Sequence, residues 1–344
     1  MRELDNIRSA LTAAAARGES VVLATVMSVE GSVYRGAGAR MVITAGATTI
    51  GAVSGGCLEA DIVARAPDLR HAELVRYDTR ASDDVILGLG LGCQGIIDIL
   101  LEPFSGPSLH EAIAFYTRLA TQREPVTLLT LLREEPVGPL LGARVMLGPT
   151  GDVIHGDARL LHRPHDVARE VVRPAPPLVV CGGGTDAIPL VTLARQMGMH
   201  VTVIDHRSSF ANADRFPDAH DIVCANLSDN PAALANRVTL DERTMGVSMA
   251  HAAIHDGAYI RALLDANAAY IGVLGPRRRT MELLGSPAEL PQNVHAPVGL
   301  DLGAETPDEI ALAIVAEIAA VSAGRRGGML RDRTGPIHER SGQR

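Results

Sequence analysis

Leu178-Val-Val-Cys-Gly-Gly-Gly-Thr-Asp-Ala187 decides the fold of the second half of this chain. A short apolar run ends in a glycine turn, and a helical pattern begins at about residue 187. Gly182, Gly184 and Ala187 stand at the spacing of a dinucleotide fingerprint, with Gly183 between the first two. Asp205 closes the next apolar run, residues 201–204. In a βαβ unit the first glycine makes the turn and the second lets backbone approach a diphosphate. The third small residue lets helix pack on strand, and the acidic residue accepts a ribose hydroxyl. The helix N-terminus offers unpaired N–H groups to the anion. Gly182, Gly183, Gly184 and Asp205 are therefore candidate nucleotide contacts. Arg207 joins them, because a guanidinium suits a phosphate-bearing ribose. NAD(P) and the nucleotide end of a larger cofactor both fit this pattern, and a bare βα turn is the alternative.

Downstream, apolar runs at 221–223, 245–249 and 270–274 alternate with helical patterns, which predicts parallel βαβ units. His251-Ala-Ala-Ile-His255-Asp256 follows one of these runs. Residues beyond a strand's carboxyl end line the ligand crevice of an open parallel sheet, so His251, His255 and Asp256 are candidates. The i, i+4 spacing would put both histidines on one helix face. The glutamate of a zincin motif is missing. Gly275-Pro-Arg-Arg-Arg279 follows another run, with Pro276 suited to a first helical position. Arginines at a helix start oppose its dipole unless an anion is present, which nominates Arg277 and Arg278. Thr306-Pro-Asp-Glu309 is a capping box opening a helix that reaches about residue 321. The tail from residue 327 is polar and turn-rich, and disorder is expected there.

Upstream, Pro174-Ala-Pro-Pro177 is a stiff linker. It predicts two domains, 1–173 and 174–344. The first reads as α+β: a helix over 3–16, strands over 20–29, 40–44 and 48–54, and a helix over 58–66. Strands over 72–77 and 95–102, a helix over 109–120, and strands over 126–132 and 144–147 complete it. Residues 157–173 carry charges and histidines and show no periodicity that names an element. The expected fold class is α/β, an N-terminal α+β domain followed by a Rossmann-like, doubly wound parallel sheet.

Composition narrows the chemistry. The 344 residues contain no lysine, so neither a P-loop nor a Schiff-base mechanism is available. The net charge of -8 and an aromatic content of 3% argue against nucleic acid as a partner. No signal-peptide core and no membrane-length apolar run is present, which predicts a soluble cytoplasmic protein. Cys57, Cys93, Cys181 and Cys224 form no C-x-x-C pair.

Two of these cysteines follow glycine turns, in Gly51-Ala-Val-Ser-Gly-Gly-Cys57-Leu-Glu59 and in Gly88-Leu-Gly-Leu-Gly-Cys93-Gln-Gly95. Cys57 stands where a helix should begin, a position that favours thiolate. Arg35 and Arg40, in a turn-rich segment, could add to this or grip an anion through their donor forks. The alternative is that both cysteines are small buried hydrophobes. No short-spaced partner suggests zinc.

Several motifs together carry a resemblance over nearly the whole chain, residues 105–175 excepted. Gly31-Ser-Val-Tyr-Arg35, Gly38-Ala-Arg-Met41, Ser54-Gly-Gly-Cys-Leu-Glu59 and Gly92-Cys93 resemble the N-terminal domain of the XdhC/CoxI family. Ala269-Tyr-Ile-Gly-Val-Leu-Gly-Pro-Arg-Arg-Arg279 and Val298-Gly-Leu-Asp-Leu-Gly-Ala-Glu-Thr-Pro307 resemble its Rossmann-type domain. Tyr34 stands where the family usually has Pro, and Gln94 where Gly is common. The resemblance implies a maturation factor and not a catalyst. Such a protein binds and protects molybdenum cofactor, aids its sulfuration by a cysteine desulfurase, and hands it to xanthine dehydrogenase or a related molybdenum hydroxylase. It further implies that Cys57, Glu59 and Cys93 handle the cofactor and that Arg35 and Arg40 bind it, with no metal-ligating atom assigned. The molybdopterin could be the mono- or dinucleotide form. An NAD(P)-dependent oxidoreductase using the glycine loop is the competing expectation, and a homodimer is the expected assembly.

Overall fold

The structure, a computed structural model, describes residues 2–78, 94–133, 138, 140–226, 237–286, 288–332 and 334. The chain forms two compact units, Met1–Pro174 and Ala175–Arg344.

In the first unit, α1 (Arg2–Ala16) precedes β1 (Val21–Ser32), β2 (Arg40–Thr44) and β3 (Thr49–Gly51). Then come α2 (Glu59–Arg65), β4 (Glu73–Asp78), β5 (Gln94–Phe104) and α3 (Gly106–Ala120). These strands form an antiparallel sheet in the order β3-β2-β1-β5-β4. Because side chains alternate across a strand, Val21 and Leu23 of β1 pack with α1 and α3 on one face. Val22, Ala24 and Val26 pack with Ile62 of α2 on the other. Burial on both faces is why β1 reads as a near-continuous apolar run. Leu4, Ile7 and Leu11 recur at helical spacing along α1 and are buried. Truncating Leu11, which is fully buried, costs about 2–5 kcal/mol. Asp98 interrupts the apolar run of β5 for a local reason. It faces Arg76 across the β4–β5 ladder, accepts from that guanidinium at 2.7 and 2.9 Å, and accepts from Ser28 at 2.7 Å.

A second antiparallel sheet, in the order β8-β7-β6-β9, contains β6 (Val126–Leu131), β7 (Arg144–Leu147), β8 (Val153–Gly156) and β9 (Val167–Val172). The stretch without readable periodicity thus contains β9, half of whose residues are half-buried. Its Glu170 pairs with the buried Arg40 at 2.5 Å. Arg144 and Glu102 form a second such pair between the sheets, and both residues have little exposure.

The second unit begins at β10 (Pro177–Cys181) and continues through α4 (Ala187–Gln196), β11 (His200–Asp205), β12 (Asp221–Cys224) and β13 (Met245–Ser248). α5 (Ala253–Asp265), β14 (Tyr270–Val273), α6 (Arg277–Leu283), β15 (Val294–His295) and α7 (Pro307–Ser322) follow. The six strands are parallel in the order β12-β11-β10-β13-β14-β15. Taken in order of appearance this is 3-2-1-4-5-6, the doubly wound Rossmann arrangement. α4 and α7 cover one face and α5 the other. The switch point lies between β10 and β13. Thr306 caps α7 by accepting from the Glu309 N–H at 3.3 Å. Pro276 is the N-cap of α6, one position before the helix. Among the described residues, no helix is long and apolar enough to cross a membrane.

Candidate functional site

The glycine turn of the second unit follows the backbone path its sequence predicts. Gly182 has φ +115°, and a Cβ there would lie 2.6 Å from the Met249 backbone, so only glycine lets β10 leave the sheet this close to β13. A Cβ on Gly183 would lie 2.8 Å from the Phe210 carbonyl oxygen. Gly184 faces more open space, with the His251 ring 4.0 Å from where a Cβ would be.

Asp205 is fully buried, and its carboxylate is engaged by the protein itself. One oxygen accepts from the Gly183 N–H at 2.7 Å and from an Arg207 Nη at 2.8 Å. The other accepts from the Arg207 backbone N–H at 2.8 Å and from its Nε at 2.9 Å. Burial opposes this charge, but the Arg207 guanidinium and the Gly183 N–H outweigh it and hold the carboxyl down at about 2. The Arg207 guanidinium lies 3.7 Å from the centre of the Phe210 ring, and Arg215 lies over the same ring at 4.9 Å. Arg215 also donates to the Gly183 carbonyl at 3.3 Å. The acceptor positions that a ribose would use are occupied by Arg207, and one glycine-loop donor is turned inward to Asp205.

Around this latch lies a buried polar group. His206 and His255 stack with ring centroids 3.9 Å apart. Tyr259, one turn beyond His255, has a buried hydroxyl with no hydrogen-bond partner among the described residues. Burial and the neighbouring Cys181, Asp205 and Asp256 push that hydroxyl's pKa up, and burial and Asp256 push up the Cys181 thiol. Burial and then His255 hold His206 below its ordinary value. Asp256 is buried in α5, accepts from Ser248 at 2.8 Å and the Ala250 N–H at 3.0 Å, and pairs with Arg279 at 2.5 Å.

In the first unit the 54–59 turn is organised by two side chains. The Ser54 hydroxyl accepts from the N–H groups of Gly56, Cys57 and Leu58 at 3.2, 3.1 and 3.2 Å. Glu59 accepts from the N–H groups of Ser54 at 2.8 Å, Leu58 at 3.2 Å and Val53 at 3.3 Å, and from the Ser54 hydroxyl. Burial would raise the Glu59 pKa, but these donors lower it on balance. The Cys57 thiol, half-buried just before α2, contacts Ser54 Oγ at 3.3 Å. Nearby, Glu3 pairs with Arg35 and accepts from the Arg40 N–H at 2.7 Å.

The structure thus brings Cys57 and Glu59 into one turn and ties Arg35 and Arg40 to a common carboxylate, Glu3. The Arg40 side chain is buried on Glu170, with a further donation to the Gly38 carbonyl at 2.7 Å. Cys93 lies outside the described residues. His251 and His255 do not share a helix face, because Ala252 is the extended N-cap of α5 and His251 precedes it with φ 56°. His251 instead reaches Asp186, beside the glycine loop, at 3.1 Å. Arg277 and Arg278 point to solvent, and Arg278 pairs with Glu282 at 3.3 Å. Of the three arginines it is Arg279 that enters the carboxyl-edge cluster. Arg279, His206, Tyr259 and Ser54 are absent from the sequence-derived candidates. Position gave a signal for two of them, since His206 follows a strand and Ser54 starts the glycine–cysteine turn. Among the described residues, no group of three or more His, Cys, Asp or Glu side chains is placed to hold a metal.

Residues 178–318 match the sequence profile of the XdhC Rossmann domain, and residues 14–78 match that of the XdhC and CoxI family. A probable xanthine dehydrogenase subunit of Bacillus subtilis (strain 168) is 32% identical over 336 residues, 92% of this chain and 97% of that protein. The molybdenum cofactor insertion chaperone PaoD of Escherichia coli (strain K12) is 25% identical over 310 residues, 88% of this chain and 84% of that one. A crystal structure described as a xanthine dehydrogenase from Bacillus halodurans is similar with a TM-score of 0.78 and 28% identity, covering 93% of this chain and 96% of the other.

Proposed function

The chain belongs to the XdhC and CoxI family, and from that premise we propose that it is a carrier of molybdenum cofactor. It binds and protects the cofactor as cargo, supports its sulfuration, and delivers it to a molybdenum hydroxylase of the xanthine dehydrogenase type. Its partners in this reading are that hydroxylase and a cysteine desulfurase, and it works as a homodimer in the cytoplasm. The similarity to PaoD over most of the chain supports the cargo.

The 54–59 turn is the observation that carries the reading. It presents a half-buried thiol on a backbone whose N–H groups are already satisfied by Ser54 and Glu59. A sulfur ligand held this way suits a metal–sulfur cargo, and a fixed backbone limits the ordering cost of binding. Arg35, beside Tyr34, gives one Nη to Glu3, and the remaining N–H groups of its guanidinium are the donors offered to an anionic cargo. Release to a client needs modest affinity. The oxidoreductase reading requires Asp205 to meet a ribose, and Asp205 is held by Arg207 and Gly183.

The test is anaerobic binding of molybdenum cofactor to the wild type and to Cys57→Ala. Stoichiometric binding by the wild type, weakened in the variant, is expected. No binding by the wild type, together with tight retention of NAD(P), overturns the proposal.

A further inference from the structure

The chain has nine aromatic residues of the Phe, Tyr and Trp types, five Tyr and four Phe. Eight of them are buried or half-buried, and Tyr34 alone is exposed, at 72%. A single exposed apolar side chain is ordinary in itself. The surroundings of Tyr34 are not. A Cβ on Gly55 would lie 3.5, 3.6 and 3.7 Å from Tyr34 Cγ, Cδ1 and Cδ2. Near-equal distances to three ring atoms mean that Gly55 meets the ring's face, not its edge. Gly55 is two residues from Cys57, at most about 7 Å along the chain. The ring therefore lies on the turn that presents the thiol.

The segment carrying Tyr34 is also pinned. Glu3 holds both the Arg35 guanidinium and the Arg40 N–H. The Gly38 N–H donates to the Val26 carbonyl at 2.8 Å, and the Val26 N–H donates to the Ala39 carbonyl at 2.9 Å. A tyrosine has two side-chain torsions and little freedom to lose. A rigid aromatic ring with one face against glycine is a stacking platform.

We infer that Tyr34 is a positioning residue for the cargo, stacking on its flat, bicyclic pterin ring while the metal end lies toward Cys57. This rests on the carrier reading above and extends it by naming the part of the cargo that is recognised and the side chain that does so. Recognition through a ring face tolerates differences at the far end of the ligand, so mono- and dinucleotide forms are both accepted at Tyr34.

The absence of tryptophan makes the test direct. Tyr34→Trp places one indole in the whole protein, on the platform itself. Anaerobic titration of Tyr34→Trp with molybdenum cofactor is expected to quench the indole emission, with affinity equal to or better than that of the wild type. Tyr34→Phe binds within about twofold of the wild type, and Tyr34→Ala and Tyr34→Leu bind about tenfold more weakly. Thermal denaturation of all four variants matches the wild type, since the side chain is exposed. Wild-type binding with no loss in Tyr34→Ala and Tyr34→Leu, or with no quenching in Tyr34→Trp, overturns the inference and leaves the carrier reading intact. Equal losses in Tyr34→Phe and Tyr34→Ala overturn it too, because they assign the contact to the hydroxyl. Failure of the wild type to bind at all is a failure of the carrier reading itself.

Discussion

Each unit contains a glycine turn that leads into a helix, and in each a carboxylate grips the turn's backbone. In the second unit Asp205 takes the Gly183 N–H, and Arg207 then closes over the same carboxylate. In the first unit Glu59 takes three backbone N–H groups and the Ser54 hydroxyl, and no cation closes over it among the described residues. The first arrangement ends in a sealed latch under Phe210. The second ends in a half-buried thiol beside an exposed ring. The turn with the nucleotide fingerprint is the closed one, and the turn with no nucleotide signature is the open one. A spacing of glycines specifies the path of a backbone. Whether its donors face a ligand depends on which side chains arrive from elsewhere.

The contrast yields measurements of decreasing size. Asp205→Ala leaves the Arg207 guanidinium uncompensated and the Gly183 N–H without its acceptor, and is expected to destabilise the protein by about 3 kcal/mol in denaturant unfolding. A loss below about 1 kcal/mol would mean that the latch is not closed. The same pair has a pH signature. The folded Asp205 carboxyl sits at about 2, below its unfolded value. Its contribution is therefore complete above about pH 5 and is lost progressively as pH falls from there through 2. The stability gap between wild type and Asp205→Ala is expected to be constant from pH 7 to about 5 and to close on further acidification.

Glu59→Gln keeps one acceptor oxygen and loses the charge, on a half-buried group, so a cost of about 1–2 kcal/mol is expected. A cost as large as that at Asp205 would erase the distinction between the two turns. Alkylation separates the thiols. Cys57 is expected to label readily and Cys181 only on unfolding, since Cys181 is buried with its pKa raised. Cys57→Ser then removes one fast-labelling equivalent and changes stability by no more than about 0.5 kcal/mol, whereas Cys181→Ser removes none. The smallest expected effect is zero. NAD at a concentration saturating for an ordinary Rossmann site shifts the melting temperature of the wild type by less than about 1 °C. A larger shift would show that Arg207 yields to a ribose and that the second turn is open after all.

Much of the fold was legible because periodicity reports burial. β2 and β7 have the bounds their apolar patterns predict, and β10, β11, β13 and β14 differ from theirs by one or two residues. β9 was not legible, because its inward-facing Glu170 serves a partner 130 residues away and breaks any alternation. The site was partly legible for the same reason. Sequence placed Cys57 beside Glu59 and Asp205 beside the glycine loop, since those relations are local. It could not show that Asp205 is already occupied, because Arg207 is as good a phosphate ligand on paper as it is a latch in space. Nor could it select Arg279 from three adjacent arginines, a choice made by the buried Asp256 that faces only one of them.

The Arg40–Glu170 pair also has a consequence in time. During synthesis at about 5–20 residues per second, Glu170 leaves the ribosome on the order of ten seconds after Arg40. Until then the buried guanidinium beneath the 33–39 segment has no counterion from β9. The pair that buries this guanidinium between the two sheets of the first unit is therefore closed only when β9 arrives.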